Sequence, residues 1–564
     1  MVAMLERLPA SAPGRMARVG WLVTMGTFVA GLVFWGFGSG LVALWLFAAG
    51  AVTLALVLPF EYSVVSPLFA GMLGWLVDML PFIILAGWAA VVIRWALGLW
   101  RERRWPRGGR WLLLPLALIA WTALGVLVIE SVDFKHFLLL VGIQVLASGV
   151  VMAIVDAAPD HLMRVTIGAG LVLFVVVLSI AVLLEWVGVP MQELQDTTVS
   201  RRAEAAYGVD AFPNNIGMIK YTWAKNSGAG ELGARLKKAR REDPEIPDYD
   251  VFRPKFGALD GYLVVRFFGS ARAVDQDLRK FDIDLIYDSV GIAPAHTVPR
   301  LRSFPRNALT YAGVCAAVFP LAFFFAWAAR KRPKMLGRVG IAACLFGAGL
   351  SLVRGAWAAI ALGIVYLMID GLITRRRKHQ VVGAFIAAAL VLTAFFYVKY
   401  QVDPLTARAG AEGSAITRKN VYIDTLGSLN KIHFLLGFGT EKPRSDSGLS
   451  HQLGSYIPRA GTHSTYLNYL FRTGVPGGLL IIVFYAVAGL HVRAVARARR
   501  GEERTFNSLL AASVLIAAAH GAVLSLFVEP IYTLSISIVM GLAMAAGLGA
   551  GRSLWPWHKT ASSA

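Results

Sequence analysis

Val165-Thr-Ile-Gly-Ala-Gly-Leu-Val-Leu-Phe-Val-Val-Val-Leu-Ser-Ile-Ala-Val-Leu-Leu184 contains neither a charge nor a proline. A helix needs about 20 predominantly apolar residues to cross a hydrocarbon core of about 30 Å, and this run supplies them. Comparable runs recur outward in both directions. Before it lie 19–37, 41–59, 64–79, 82–100, 111–130 and 137–156; after it lie 309–329, 339–353, 356–373, 380–399, 475–492, 507–528 and 531–550. The pattern predicts an all-α polytopic membrane protein with about 12–14 transmembrane helices, the range set by a short third run and a marginal ninth. Composition agrees: of 564 residues, 57% are hydrophobic and only 16% charged, against roughly 25% charged in an ordinary soluble domain. A single soluble domain is excluded. Arg7, Arg15 and Arg18 before the apolar stretch from Trp21 imitate a secretory signal. No small-residue cleavage pattern closes that stretch, so it reads as an uncleaved first helix.

The net charge of +21 would suggest nucleic acid in a soluble protein. Here its distribution decides otherwise. Short cytoplasmic loops collect Lys and Arg. With the N-terminus inside, the basic stretches 101–110, 330–338, 375–378 and 493–504 all fall on the inner side, provided that 64–79 counts as a crossing. The opposite short loops hold only Lys135 and Arg354. The charge therefore encodes topology, and no nucleic-acid partner is expected. Cys315 and Cys344 both lie in apolar runs, which leaves no disulfide framework or thiolate metal cluster.

Two long polar segments remain on the outer side, and the chain divides into a bundle at 1–186, an outer domain at 187–308, helices at 309–399, an outer loop at 400–473 and closing helices at 474–564. Within 187–308, Gly230 to Arg241 has helical apolar spacing until Pro244 and Pro247 break it, Tyr262-Leu-Val-Val-Arg-Phe-Phe268 is strand-like, and 278–290 is apolar-spaced. An interval of this length with its own periodicity predicts a small folded cap. Two residues near the outer boundary can do chemistry. Arg354 stands between two otherwise uncharged runs and either snorkels to headgroups or grips an anion, for which a permanently charged planar guanidinium is suited. His463 opens a stretch that runs into the membrane and can accept a proton near neutral pH; His433 and His451 occupy the same loop.

In combination, Val353-Arg-Gly-Ala-Trp357, then Leu435-Leu-Gly-Phe-Gly439, then His463-Ser464 with Leu467 and Gly474 resemble the O-antigen ligase and polymerase family of membrane glycosyltransferases. The His-Ser/Asn-x-x-Leu-six-Gly spacing of the ligase motif is reproduced, and Arg302-Ser-Phe-Pro-Arg-Asn-Ala-Leu-Thr-Tyr-Ala312 looks like the segment that opens this region. Here Pro305-Arg306-Asn307 replaces the usual Asn-Pro-Asn, and Val353 stands where serine is common. The resemblance covers roughly residues 300–490 and implies a GT-C-like fold.

What the resemblance implies is transfer of a glycan from an undecaprenyl-diphosphate carrier to a glycan or lipid-core hydroxyl, at the outer face of a bacterial cytoplasmic membrane. His463 and Arg354 would be catalytic: His463 deprotonates the acceptor and Arg354 stabilises the departing diphosphate. Arg302, Arg306, Arg418 and Ser464 would assist in substrate binding. No metal or other cofactor is called for. A repeat-unit polymerase would use the same donor. Two other classes stay open: a transporter or flippase of lipid-linked glycan, which would place ionisable groups near the midplane and repeat them in both halves, and a structural envelope protein, for which Arg354 and His463 would be dispensable.

Overall fold

The computed structural model describes residues 15–37, 39–74, 80–107, 113–128, 134–158, 160–186, 308–327, 334–351, 353–372, 431–437, 464–523 and 530–548, together with Arg241 and four short strands between 217 and 288. Apart from those strands it is helical. In chain order the helices are α1 Arg15–Gly36, α2 Gly40–Val57, α3 Phe60–Ser63, α4 Ser66–Gly74, α5 Leu80–Glu102, α6 Leu113–Val128, α7 Phe134–Ala157, α8 His161–Trp186, α9 Ala308–Trp327, α10 Lys334–Leu350, α11 Arg354–Ile369, α12 Lys431–Leu436, α13 Thr465–Ala498, α14 Gly501–Val523 and α15 Pro530–Ala545. Six are long and apolar enough to cross a bilayer, and five shorter apolar helices accompany them. The chain is thus the multi-pass helical membrane protein that its apolar runs predict, because in lipid a helix satisfies its own backbone polar groups. The expected span 380–399 lies outside the described residues.

Contacts between helices fix their directions. The Trp45 ring meets that of Phe82 at 5.6 Å, while Arg94 Nη1 donates to the carbonyls of Ala55 and Leu58 at 3.0 and 2.6 Å. Helices α2 and α5 therefore run the same way, and the chain between them must return across the bundle. It does so through α3 and α4: Trp88 Nε1 donates to Val64 O, and Gly71 packs on Ile84 further along. Within the expected run 64–79 the described helix is α4, which begins two residues late. Ser63 Oγ turns back to Ala55 O at 2.6 Å, and α4 restarts at Ser66 with Pro67 in its first turn, where a missing N–H costs no hydrogen bond.

The remaining pairs extend the same map. Ser179 meets Tyr311, and Gly168 faces Leu321, so α8 and α9 are antiparallel. Gly313 packs against His520, and Phe324 against Phe506 at 5.0 Å, so α9 and α14 are antiparallel too. One end of the bundle consequently gathers Arg101 to Arg107, Lys334, Arg338 and the arginines from Arg493 to Arg504. We call it the basic end. Its charges are tied between helices. Arg104 reaches both oxygens of buried Asp156 at 2.8 and 3.0 Å, and this hydrogen bonding raises the guanidinium pKa above its ordinary value. Arg164, 1% exposed, bonds Ala545 O at 3.0 Å and Glu503 at 3.3 Å. Arg493 faces Asp370 at 3.7 Å, whose other oxygen accepts from Ser508 at 2.9 Å.

Between α8 and α9, both of whose linked ends lie opposite the basic end, β1 Gly217–Tyr221, β2 Asp250–Phe252, β3 Leu263–Phe267 and β4 Tyr287–Asp288 form an antiparallel sheet in the order β2-β3-β1-β4. Val265 of β3 stands opposite Ile219 on one side and Val251 on the other. The strand-like run 262–268 is thus a central strand, and β4 falls in the apolar-spaced stretch 278–290. The helix expected over 230–241 lies outside the described residues except for Arg241.

Candidate functional site

Three of the segments singled out in the sequence begin at the end opposite the basic loops. Helix α9 starts there, since Gly313 packs on His520 near the close of α14. Helix α11 runs antiparallel to α14, with Gly363 against Ile516 and Asp370 bonded to Ser508. Continuing nine residues back from Gly363 brings Arg354 about 13 Å further, level with the end of α14 at Val523. Thr465 lies against Gly521, and Tyr466 donates its hydroxyl proton to Ala518 O at 2.8 Å. The first residues of α11 and α13 therefore stand within about one helical turn of each other in depth, both packed on α14.

The start of α11 is set by the turn before it. Trp357 Nε1 donates to Ala348 O at 2.9 Å, and Ser351 Oγ donates to the same carbonyl at 2.9 Å. The tryptophan of Val353-Arg-Gly-Ala-Trp357 thereby closes the end of α10 and makes Arg354 the first residue of the next helix. Val353 is buried, occupies the N-cap with φ −93° and ψ 95°, and supplies no side-chain cap; the first turn carries no acid. A helix start of this kind adds the positive end of its dipole to the arginine. The Arg354 backbone is described; its side chain lies outside the described residues.

Ser464 is the N-cap of α13. It is 3% exposed, and its hydroxyl accepts from Leu467 N at 3.4 Å. This explains the Ser/Asn-x-x-Leu portion of the motif, because serine and asparagine are the residues whose short side chains cap the third amide of a helix. The six-residue interval to Gly474 has an equally local cause. At Gly474 (φ 69°, ψ −176°) the helix folds back on itself, in a backbone region that essentially only glycine occupies. Leu470 then packs on Gly478, and the Tyr466 ring lies 6.1 Å from that of Tyr485. Residues 465–473 and 475–498 are thus the arms of a helical hairpin.

The short helix α12 seats in the bend. A Cβ on Gly474 would meet Leu435 O at 2.1 Å, and one on Gly437 (φ 73°) would meet the Arg472 carbonyl carbon at 2.3 Å. Leu-Leu-Gly and the distant Gly474 are two halves of one backbone contact. The bend leaves carbonyls without helical partners, since Pro476 has no N–H. Trp121 of α6 satisfies one of them, donating Nε1 to Thr473 O at 2.8 Å.

His433 is a structural residue: its Nδ1 pairs with Gly437 O at 2.9 Å and closes the end of α12. His463, Arg302, Arg306, Arg418 and His451 lie outside the described residues. Sequence reasoning missed Trp121, which gave no signal inside an apolar run. It also missed His520, wholly buried and 3.3 Å from the Tyr532 hydroxyl; a lone histidine inside a membrane run was the available signal.

In comparison with protein families, residues 339–482 match the model described as O-antigen ligase. The match runs from α10 through the bend of α13 and includes Arg354, Gly437, Ser464 and Gly474, so the resemblance read from those motifs holds over that stretch. No curated protein matches the chain.

Proposed function

From a chain whose residues 339–482 are an O-antigen ligase family region, we propose a metal-independent glycosyltransferase that moves a glycan from an undecaprenyl-diphosphate carrier to a hydroxyl acceptor, a glycan or lipid core, at the outer face of a bacterial cytoplasmic membrane. The observation that carries this reading is the shared end: α9, α11 and α13, which begin beside or at the motif residues, all start opposite the basic loops. By the positive-inside rule the basic end is cytoplasmic, and the motif end then faces the compartment where a carrier-linked glycan is used.

The donor is already activated by its diphosphate, so the protein needs two actions. His463, next to the N-cap, takes the acceptor proton as oxygen attacks the anomeric carbon and the carbon–diphosphate bond breaks. Arg354, reinforced by the uncapped start of α11, neutralises the charge that grows on the leaving diphosphate. Arg302, Arg306 and Arg418 add positive charge around it, and Ser464 holds the helix start beside the histidine. A neutral imidazole is required, so turnover falls as pH drops through the histidine's pKa, ordinarily about 6.5.

The test is reconstitution of the full chain with purified carrier-linked glycan and candidate acceptor lipid, reading glycan attached to the acceptor. No transfer under any acceptor would remove the reading. In cells, a strain lacking the chain should retain full-length polymer on the carrier; single repeats instead would make the chain a polymerase with the same donor.

A further inference from the structure

A partly open cavity of about 70 Å³ lies among α6, α7, α15 and the two arms of the α13 hairpin. That is several times the roughly 10–15 Å³ needed to hold one water, room for one edge of a sugar ring with its hydroxyls. Thr465, adjacent to the Ser464 cap, forms part of its wall. Gln144 forms another part: it is 3% exposed, and its carboxamide has no partner beyond an interaction with the Tyr469 hydroxyl. A glutamine amide has two donors and two acceptor sites, so a single contact with Tyr469 leaves most of its capacity unused in the cavity wall. Leaving such a group buried and under-satisfied is costly, and an apolar residue at this position would avoid that cost.

The wall chemistry selects a ligand. Ser148 and Thr533 add hydroxyls, Tyr469 and Tyr485 add aromatic faces, and no lining side chain is charged. Neutral donors and acceptors between aromatic rings suit a neutral polyhydroxylated ring, whose hydroxyls pair with the amide and whose C–H faces lie on tyrosine; they do not suit a phosphate. We propose that this cavity is the acceptor subsite, holding one edge of the acceptor's terminal sugar beside Thr465 at the start of α13, with Gln144 as the residue that reads the sugar's hydroxyl pattern. The proposal rests on the transferase reading above and assigns its acceptor to a place.

Two measurements on the full chain in nanodiscs separate the subsite from that reading. Ser148→Cys gives a thiol in the cavity wall, and its labelling by a small methanethiosulfonate is followed with and without methyl glycosides of common hexoses and N-acetylhexosamines. Labelling slowed by a subset of these glycosides supports the subsite whether or not transfer is observed. Labelling indifferent to every glycoside means that the cavity holds water only and overturns it. In the transfer assay, with acceptor lipid extracted from a strain lacking the chain, Gln144→Leu should raise the acceptor KM about tenfold, the equivalent of one lost hydrogen bond, with kcat and donor KM near wild type. Thr533→Val, which keeps the side chain's shape, should act in the same direction and serves if Gln144→Leu lowers the yield of folded protein. An unchanged acceptor KM in either folded variant overturns the assignment. Absence of transfer by the wild type removes the transferase reading and leaves the labelling result to decide the cavity alone.

Discussion

The basic end of the bundle is charge-rich and closed. Arg104 with Asp156, Arg164 with Glu503 and Arg493 with Asp370 tie one helix to another, so each arginine faces a carboxylate. The opposite end has the reverse construction. Its ordering is done largely by neutral groups: an indole on Thr473 O, a second indole on Ala348 O, a serine cap and the close backbone approaches at Gly437 and Gly474, with Arg472 bonded to the neutral amide of Asn468. Where charge only staples, it is neutralised in place. At the opposite end Arg354 begins a helix with no acid in its first turn.

The sharpest test of that contrast is His463→Ala. Loss of a general base typically costs about 10²–10⁴-fold in rate, so transfer should nearly vanish while donor binding persists. His433→Ala should keep turnover and lose thermal stability, since that imidazole closes α12. Equal turnover in the two variants would erase the distinction.

Gly474→Ala is expected to act through the fold. It combines a glycine-only backbone conformation with a collision against Leu435 O, a strain of about 3 kcal/mol. Thermal unfolding of the purified protein should show a large drop in Tm or loss of folded material; a wild-type Tm would mean that the hairpin bend is not needed in the native state.

Arg354→Lys keeps the charge and discards the paired donor geometry, at a cost of about 1.5–3 kcal/mol, or about 10–100-fold in kcat/KM. Expression and Tm should stay near wild type. Wild-type transfer by Arg354→Ala would return the residue to headgroup snorkelling.

The control from the basic end is Arg104→Ala. It strips the guanidinium from a buried Asp156 and should cost about 1.5–3 kcal/mol of stability, with turnover of the folded protein unchanged. A selective loss of transfer would show that the two ends are coupled.

The architecture was legible because its signals are long and additive: apolar runs identify crossings, and basic loops sort them by side. Even the crossing between Val57 and Leu80, too broken to be one helix, was required by the parity of those loops. Part of the candidate site's scaffold was legible through Arg354, Ser464 and Gly474, whose motif spacings have local causes in a helix start, an N-cap and a bend. Other features were not. Trp121 and Gln144 sit in apolar helices far from the motifs, and nothing in a single run tells which carbonyl or cavity its polar tip will meet. The seating of Gly437 against Arg472 joins positions that no local periodicity connects.

The indole of Trp121 belongs to a helix outside the family-matched stretch, yet it supplies the hydrogen bond missing at the bend of α13, and Gly125 on the same helix gives Leu436 O room to approach. Transplanting 339–482 between relatives would therefore carry the motif without its brace. A working chimera must bring α6 with it, or provide an equivalent N–H at that depth, so the unit that can be exchanged is larger than the unit that a family comparison recognises.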